Sequence, residues 1–139
     1  MEQLSRVKVL TAIVAAGIVV VIAGANAQQS NFMGGTPSQL DAKAIRTLRL
    51  KFPAGSRSNW HSHSNGQLLM IEEGLGRTQD RNGPLLEMLP GVPRYTKAGI
   101  EHWHGAAPDQ DSVQLTIYEG DVKWLEPVTD AVYKAAPKK

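Results

Sequence analysis

Apolar and polar residues alternate with a period of two in run after run of this chain, and the runs end at glycine or proline. Leu48, Leu50 and Phe52 alternate with Arg49 and Lys51 before Pro53-Ala54-Gly55. Val113, Leu115 and Ile117 alternate with Gln114, Thr116 and Tyr118. A period of two sends successive side chains to opposite faces of a strand, so both runs read as half-buried strands. Residues 67–72 read as another, ending at Gly74. Residues 76–79 and 85–89 flank Asp80-Arg81-Asn82-Gly83-Pro84, and Asn-Gly between strand-like runs signals a hairpin. Pro90-Gly91 and Ala98-Gly99 mark further turns. No later segment holds a helical period for long, although Thr129 is placed to cap a short helix containing Ala131 and Tyr133. Short strands at this spacing argue for an all-β sandwich or barrel, and an antiparallel jelly roll meets the pattern while enclosing a cavity.

The first 27 residues stand apart from that pattern. Arg6 and Lys8 make a basic start, residues 9–24 are almost wholly apolar, and Ala25-Asn26-Ala27 is a small-x-small cleavage signal. We expect residues 1–27 to be a secretory signal peptide. The alternative is an uncleaved membrane anchor, since the apolar run approaches the roughly 18 residues that span a bilayer. The alanines and glycines of the run, and its Ala-Asn-Ala ending, favour cleavage, with no stable membrane insertion afterwards and a periplasmic or secreted mature chain. Residues 28–43, with Gly34-Gly35-Thr36-Pro37, then form a leader, residues 44–128 the β-barrel, and residues 129–139 a tail or short helix.

A chain of 139 residues suits one domain of ordinary size. It has no cysteine, which excludes disulfides, zinc-thiolate sites and iron–sulfur clusters. Without Arg6, Lys8 and Glu2, the 15 basic and 13 acidic residues become 13 and 12, so nothing points to nucleic acid. Lys138-Lys139 reads as a solvated tail.

The four histidines fall in two clusters, His61-Ser62-His63 and His102-Trp103-His104. On strands, the two imidazoles of each pair share a face and can converge on one point. Imidazole suits zinc, iron, nickel, copper and manganese alike, so the pairs point to a divalent transition metal without fixing which. One His-x-His is often an accident of surface or core; two, set among glycines and strands, are a stronger sign. By the same alternation Trp60 and Trp103 point away from the histidine face, toward sheet packing or a subunit contact. Gln114 and Thr116 share the polar face of the late strand, and line the cavity if that face is the inner one.

Placed in series, these residues resemble the two motifs of the cupin family. The first runs from Gly55 through His61, His63 and Gln67 to Gly74, and the second from Gly91 through Lys97 and Gly99 to His102, both with the family's spacing. The resemblance implies a double-stranded β-helix, the cupin form of the jelly roll, with His61, His63, Gln67 and His102 as metal ligands. Gln67 stands where the family motif has glutamate, and Lys97 where it has proline. Lys97 is either a detail of a turn or an amine near the barrel mouth. Gln67 is either the fourth ligand or a spectator beside three histidines and water. As a ligand, a carboxamide leaves the metal's charge uncompensated, which favours Lewis-acid work on a carbonyl or alkoxide oxygen.

A narrower resemblance is to the small bacterial cupins that include manganese-dependent hydroxynitrile lyases. Trp60-His61, Gly66-Gln67, the run from His102 to Pro108, and Val122, Trp124, Val128, Asp130 and Tyr133 carry it. It implies manganese as the favoured metal, with iron, zinc, nickel or copper as alternatives, and a Lewis-acid lyase acting on a small carbonyl or hydroxy substrate. His104 would face inward as an acid/base, a partner of the ligands, or a buried hydrogen-bonded histidine. Those lyases carry a second histidine where this chain has Gln114, and glutamine takes no proton at neutral pH. Two other functions therefore stay open: a quercetinase-like metal-dependent dioxygenase, and a non-catalytic cupin that binds metal and a small ligand. Cupins of this size commonly pair, so a homo-oligomer, dimer or tetramer, is expected.

Overall fold

The computed structural model describes residues 31–138, so the expected signal peptide lies outside the described residues. The chain divides into two units, Met1–Ser38 and Gln39–Lys139. Residues 31–38 of the first are exposed and hold neither helix nor strand.

The second unit holds nine strands and one helical turn: β1 Ile45–Phe52, β2 His61–His63, β3 Gln67–Gly74, β4 Gly76–Asp80, β5 Leu86–Met88, β6 Pro93–Thr96, β7 His102–Ala106, β8 Ser112–Glu119, β9 Val122–Trp124 and α1 Asp130–Tyr133. They form a four-stranded sheet, ordered β1-β8-β3-β6, and a five-stranded sheet, ordered β5-β4-β7-β2-β9. Every ladder between strands is antiparallel. The fold is an all-β jelly roll, because strands adjacent in the chain, the β4–β5 hairpin excepted, cross between two sheets. The β4–β5 hairpin turns at Asn82, whose φ of 63° is left-handed, and Gly83 N–H donates to Asp80 C=O at 2.8 Å.

Alternation decides what faces inward. Gln67, Leu69 and Ile71 on β3, Ser112, Gln114 and Thr116 on β8, and Thr78 on β4 are all buried. Leu69, Ile71 and Met88 form one apolar cluster, further along β3 than Gln67. A second cluster, Trp60, Leu85, Trp103, Val128 and Tyr133, packs on the other face of the five-stranded sheet. β7 is therefore buried on both sides, with His102 and His104 on one and Trp103 on the other. The C-terminal segment is held there by several contacts. Tyr133 Oη donates to Ala106 C=O at 2.8 Å, the Arg57 guanidinium lies 4.3 Å above the Tyr133 ring, and it also donates to Val128 C=O at 2.8 Å. Thr129 Oγ1 caps α1 by accepting from Val132 N–H.

Two features depart from the sequence pattern. β6 begins at Pro93, a residue that donates no ladder bond; it is tolerated because β6 is an edge strand, paired only with β3. The apolar side of β1 is not half-buried, since Leu48 and Leu50 are 42% and 36% exposed. β1 is also an edge, and these side chains line the mouth of a cavity instead of packing into a core.

Candidate metal centre

Strand pairing brings the histidines together. His61 lies opposite His102 in the β2–β7 ladder, and His63 lies two residues along β2. Ring nitrogens of His61, His63 and His102 all lie within 4.8 Å of one another, and all three residues are buried. Gln67 reaches the same point from the opposite sheet, just after Gly66, whose φ is 85°. A Cβ at Gly66 would crowd the Tyr95 hydroxyl and sit 2.8 Å from the Thr96 carbonyl oxygen, so only glycine makes this turn.

The hydrogen bonds behind the rings fix their tautomers. His61 Nδ1 lies 3.0 Å from Asn59 C=O, and His102 Nδ1 lies 3.0 Å from Ile100 C=O. A carbonyl oxygen only accepts, so Nδ1 carries the hydrogen in both rings and the neutral imidazole presents a bare Nε2 to the interior. Gln67 Nε2 donates to Thr116 Oγ1 at 2.7 Å, which turns Gln67 Oε1 toward His102 Nε2, also at 2.7 Å. In this arrangement two acceptors are in contact, and a cation bound by both would relieve their repulsion. Neither ring nitrogen of His63 has a hydrogen-bond partner although both are buried, an arrangement that is costly unless something else binds them. Three neutral imidazoles and a carboxamide oxygen therefore fit a divalent transition metal.

Burial holds these rings neutral. It pushes His61 and His63 down to about 4, and also lowers His102. Ligand imidazoles must be deprotonated, so the site is poised for metal at neutral pH.

His104 faces the same interior but is not one of the three converging rings. Its Nδ1 lies 2.8 Å from Gln114 Oε1, and burial lowers its pKa to about 3. A cavity of about 110 Å³ opens over the site, lined by His61, His63, Gln67, His104 and Thr116 together with an apolar wall that includes Leu48, Leu50, Phe52 and Trp124. Thr116 thus lines the cavity, whereas Gln114 lies behind His104 and does not. Lys97 is exposed in a turn, where its carbonyl accepts from Ile100 N–H, and is not part of the cavity wall. A larger hollow of about 440 Å³ beside β5 and β6 contains no histidine, so its size does not make it the reactive site.

Sequence reasoning missed the apolar wall. Its signal was the Leu48-Leu50-Phe52 alternation, read there as the buried side of a half-buried strand. It also missed the Asn59 and Ile100 carbonyls, which no side-chain pattern reveals.

No family model matches the chain. It is 36% identical over 98 residues to the (R)-mandelonitrile lyase of Granulicella tundricola, an alignment covering 68% of this chain and 75% of that one. A crystal structure of a cupin-like protein from Thermotoga maritima matches with a TM-score of 0.64 and 34% identity, over 66% of this chain and 71% of the other. The DMSP lyase DddQ from Ruegeria pomeroyi matches with a TM-score of 0.54 and 19% identity, over 63% of this chain and 46% of that one, a likeness of fold alone.

Proposed function

Since the chain belongs to the cupin family, alongside these relatives, we propose that His61, His63, His102 and Gln67 hold a divalent transition metal used for Lewis-acid chemistry on a small carbonyl or hydroxy compound. The reaction would be a hydroxynitrile-lyase-like carbon–carbon cleavage, in which a cyanohydrin loses its hydroxyl proton and its nitrile group together as hydrogen cyanide and leaves an aldehyde. The observation that carries this reading is the pair of facing acceptors, Gln67 Oε1 and His102 Nε2 at 2.7 Å, beside the other two imidazoles and under an apolar cavity.

The donor set decides the chemistry. All four donors are uncharged, and no carboxylate, ammonium or guanidinium lines the cavity among the described residues. A metal bound here keeps its full charge and polarises a ligand oxygen. The chain's own part is positional: Asn59 and Ile100 aim two rings, Thr116 aims Gln67, and the apolar wall limits water. Manganese is favoured by the resemblance, while iron, zinc, nickel and copper also suit imidazole.

Elemental analysis of the purified protein, of His61→Ala and of Gln67→Ala, alongside (R)-mandelonitrile cleavage, tests the proposal. Stoichiometric metal that falls in both variants, together with cleavage by the parent, is the expected result. A parent protein without transition metal overturns it.

Gln114, in place of a histidine base, favours a second reading in which the protein binds metal and a small ligand without catalysis. Stoichiometric metal with no cleavage would support that one, and oxygen uptake on a catechol or flavonol would support a quercetinase-like dioxygenase. The proposal extends to a periplasmic or secreted chain released from a signal peptide over residues 1–27, with residues 28–43 as leader, residues 44–128 as barrel, and a homo-oligomeric assembly. The mass of the secreted protein and its sedimentation check these points.

A further inference from the structure

Gln114 is fully buried, and both ends of its amide are committed. Nε2 donates to Gly105 C=O at 2.7 Å and to Ser112 Oγ at 3.0 Å, while Oε1 lies 2.8 Å from His104 Nδ1. The amide cannot be turned over, because that would set Oε1 against the Gly105 carbonyl oxygen, and two acceptors repel. Oε1 therefore faces His104, and an acceptor there requires a hydrogen on Nδ1. A neutral ring with Nδ1–H has a bare Nε2. Among the described residues this nitrogen has no hydrogen-bond partner, and the ring lines the cavity.

The ring is also held in place. Ser58 Oγ accepts from the His104 backbone N–H at 3.2 Å, and Phe52 meets the ring edge-on with centroids 5.6 Å apart. His104 thus stands beside the three converging imidazoles without joining them. From there it can reach a group on a bound molecule next to the atom those imidazoles serve.

We infer that Gln114 is a positioning residue, which holds His104 in the Nδ1–H form so that His104 Nε2 accepts a hydrogen bond from the hydroxyl of a small uncharged molecule in the cavity. This rests on the reading of the cavity as a site for hydroxy compounds. Gln114 then moves no proton itself; it selects which face of His104 the ligand meets. A ligand without a donor hydroxyl leaves a buried acceptor unmet, which is the costly outcome.

Nitrogen-15 histidine NMR on the zinc-loaded protein tests the inference directly, since two-bond proton–nitrogen correlations report which ring nitrogen is protonated. The expected result is an Nδ1–H form for His104 in the parent. In Gln114→Met it should shift toward Nε2–H with zinc content unchanged, and in Gln114→Glu, whose carboxylic acid can both donate and accept, it should be retained. Benzyl alcohol should bind the parent about tenfold more tightly than benzyl methyl ether and perturb His104 Nε2, a preference lost in Gln114→Met. An Nε2–H form in the parent overturns the inference whether or not Gln114→Met folds. So does an unchanged form in Gln114→Met, or the absence of any preference for the alcohol. Neither readout is activity, so a metal-loaded protein that fails to cleave mandelonitrile removes the lyase reading and leaves this test standing.

Discussion

His61 and His63 show how much one residue's setting changes its chemistry. Burial lowers both to about 4, against an ordinary value of 6.5. Between those values the unfolded chain takes up protons that the folded protein refuses, so stability rises with pH across that window. Metal-free protein should therefore be most stable above about 6.5 and lose melting temperature steadily as the pH falls toward about 4, measured by circular dichroism. A flat profile would mean that the rings are not buried neutral. At this scale the sequence showed the histidines well, because His-x-His on a strand can only share a face. It could not show the tautomers, which depend on carbonyls brought up by the chain's path at Asn59 and Ile100.

Among the elements, β7 carries the largest burden: one face bears His102 and His104, and the other presses Trp103 into the C-terminal segment. Tyr133 is 1% exposed, its ring centroid lies 5.6 Å from that of Trp103, and its hydroxyl bonds to Ala106 on the same strand. Tyr133→Ala should cost about 3–5 kcal/mol of stability by leaving a cavity over β7. Tyr133→Phe should cost only about 1 kcal/mol, the net worth of one hydrogen bond. Denaturant unfolding measures both, and equal losses would place the stabilisation in the hydroxyl instead of the ring. The long strands β3 and β8 were legible, β8 by its period of two and β3 as an apolar run closed by Gly74. β6 and β9 were not, being four and three residues long. Such pieces become strands only when a neighbour supplies the ladder.

Across the whole molecule, neither apolar cluster contains one of the three converging histidines, so the fold has cores that do not include the proposed metal ligands. Chelation should therefore lower the melting temperature without unfolding the barrel, removing about 2.7 kcal/mol if metal had been present at a hundredfold over its dissociation constant. Complete loss of β-sheet circular dichroism on chelation would show that the metal is part of the core. The jelly roll was legible because many short strands leave few architectures that bury them all. The mouth was less so, because an apolar alternation facing a cavity looks the same in sequence as one facing a core. That mouth also gives the protein a built-in optical signal. Of its three tryptophans, Trp60 and Trp103 are 6% and 0% exposed, whereas Trp124 is 62% exposed with its ring centroid 4.9 Å from that of His61. Iodide should quench Trp124 alone, and a paramagnetic ion at the histidines should dim that same fraction of the emission, so loading and unfolding can be followed as separate colours of one spectrum.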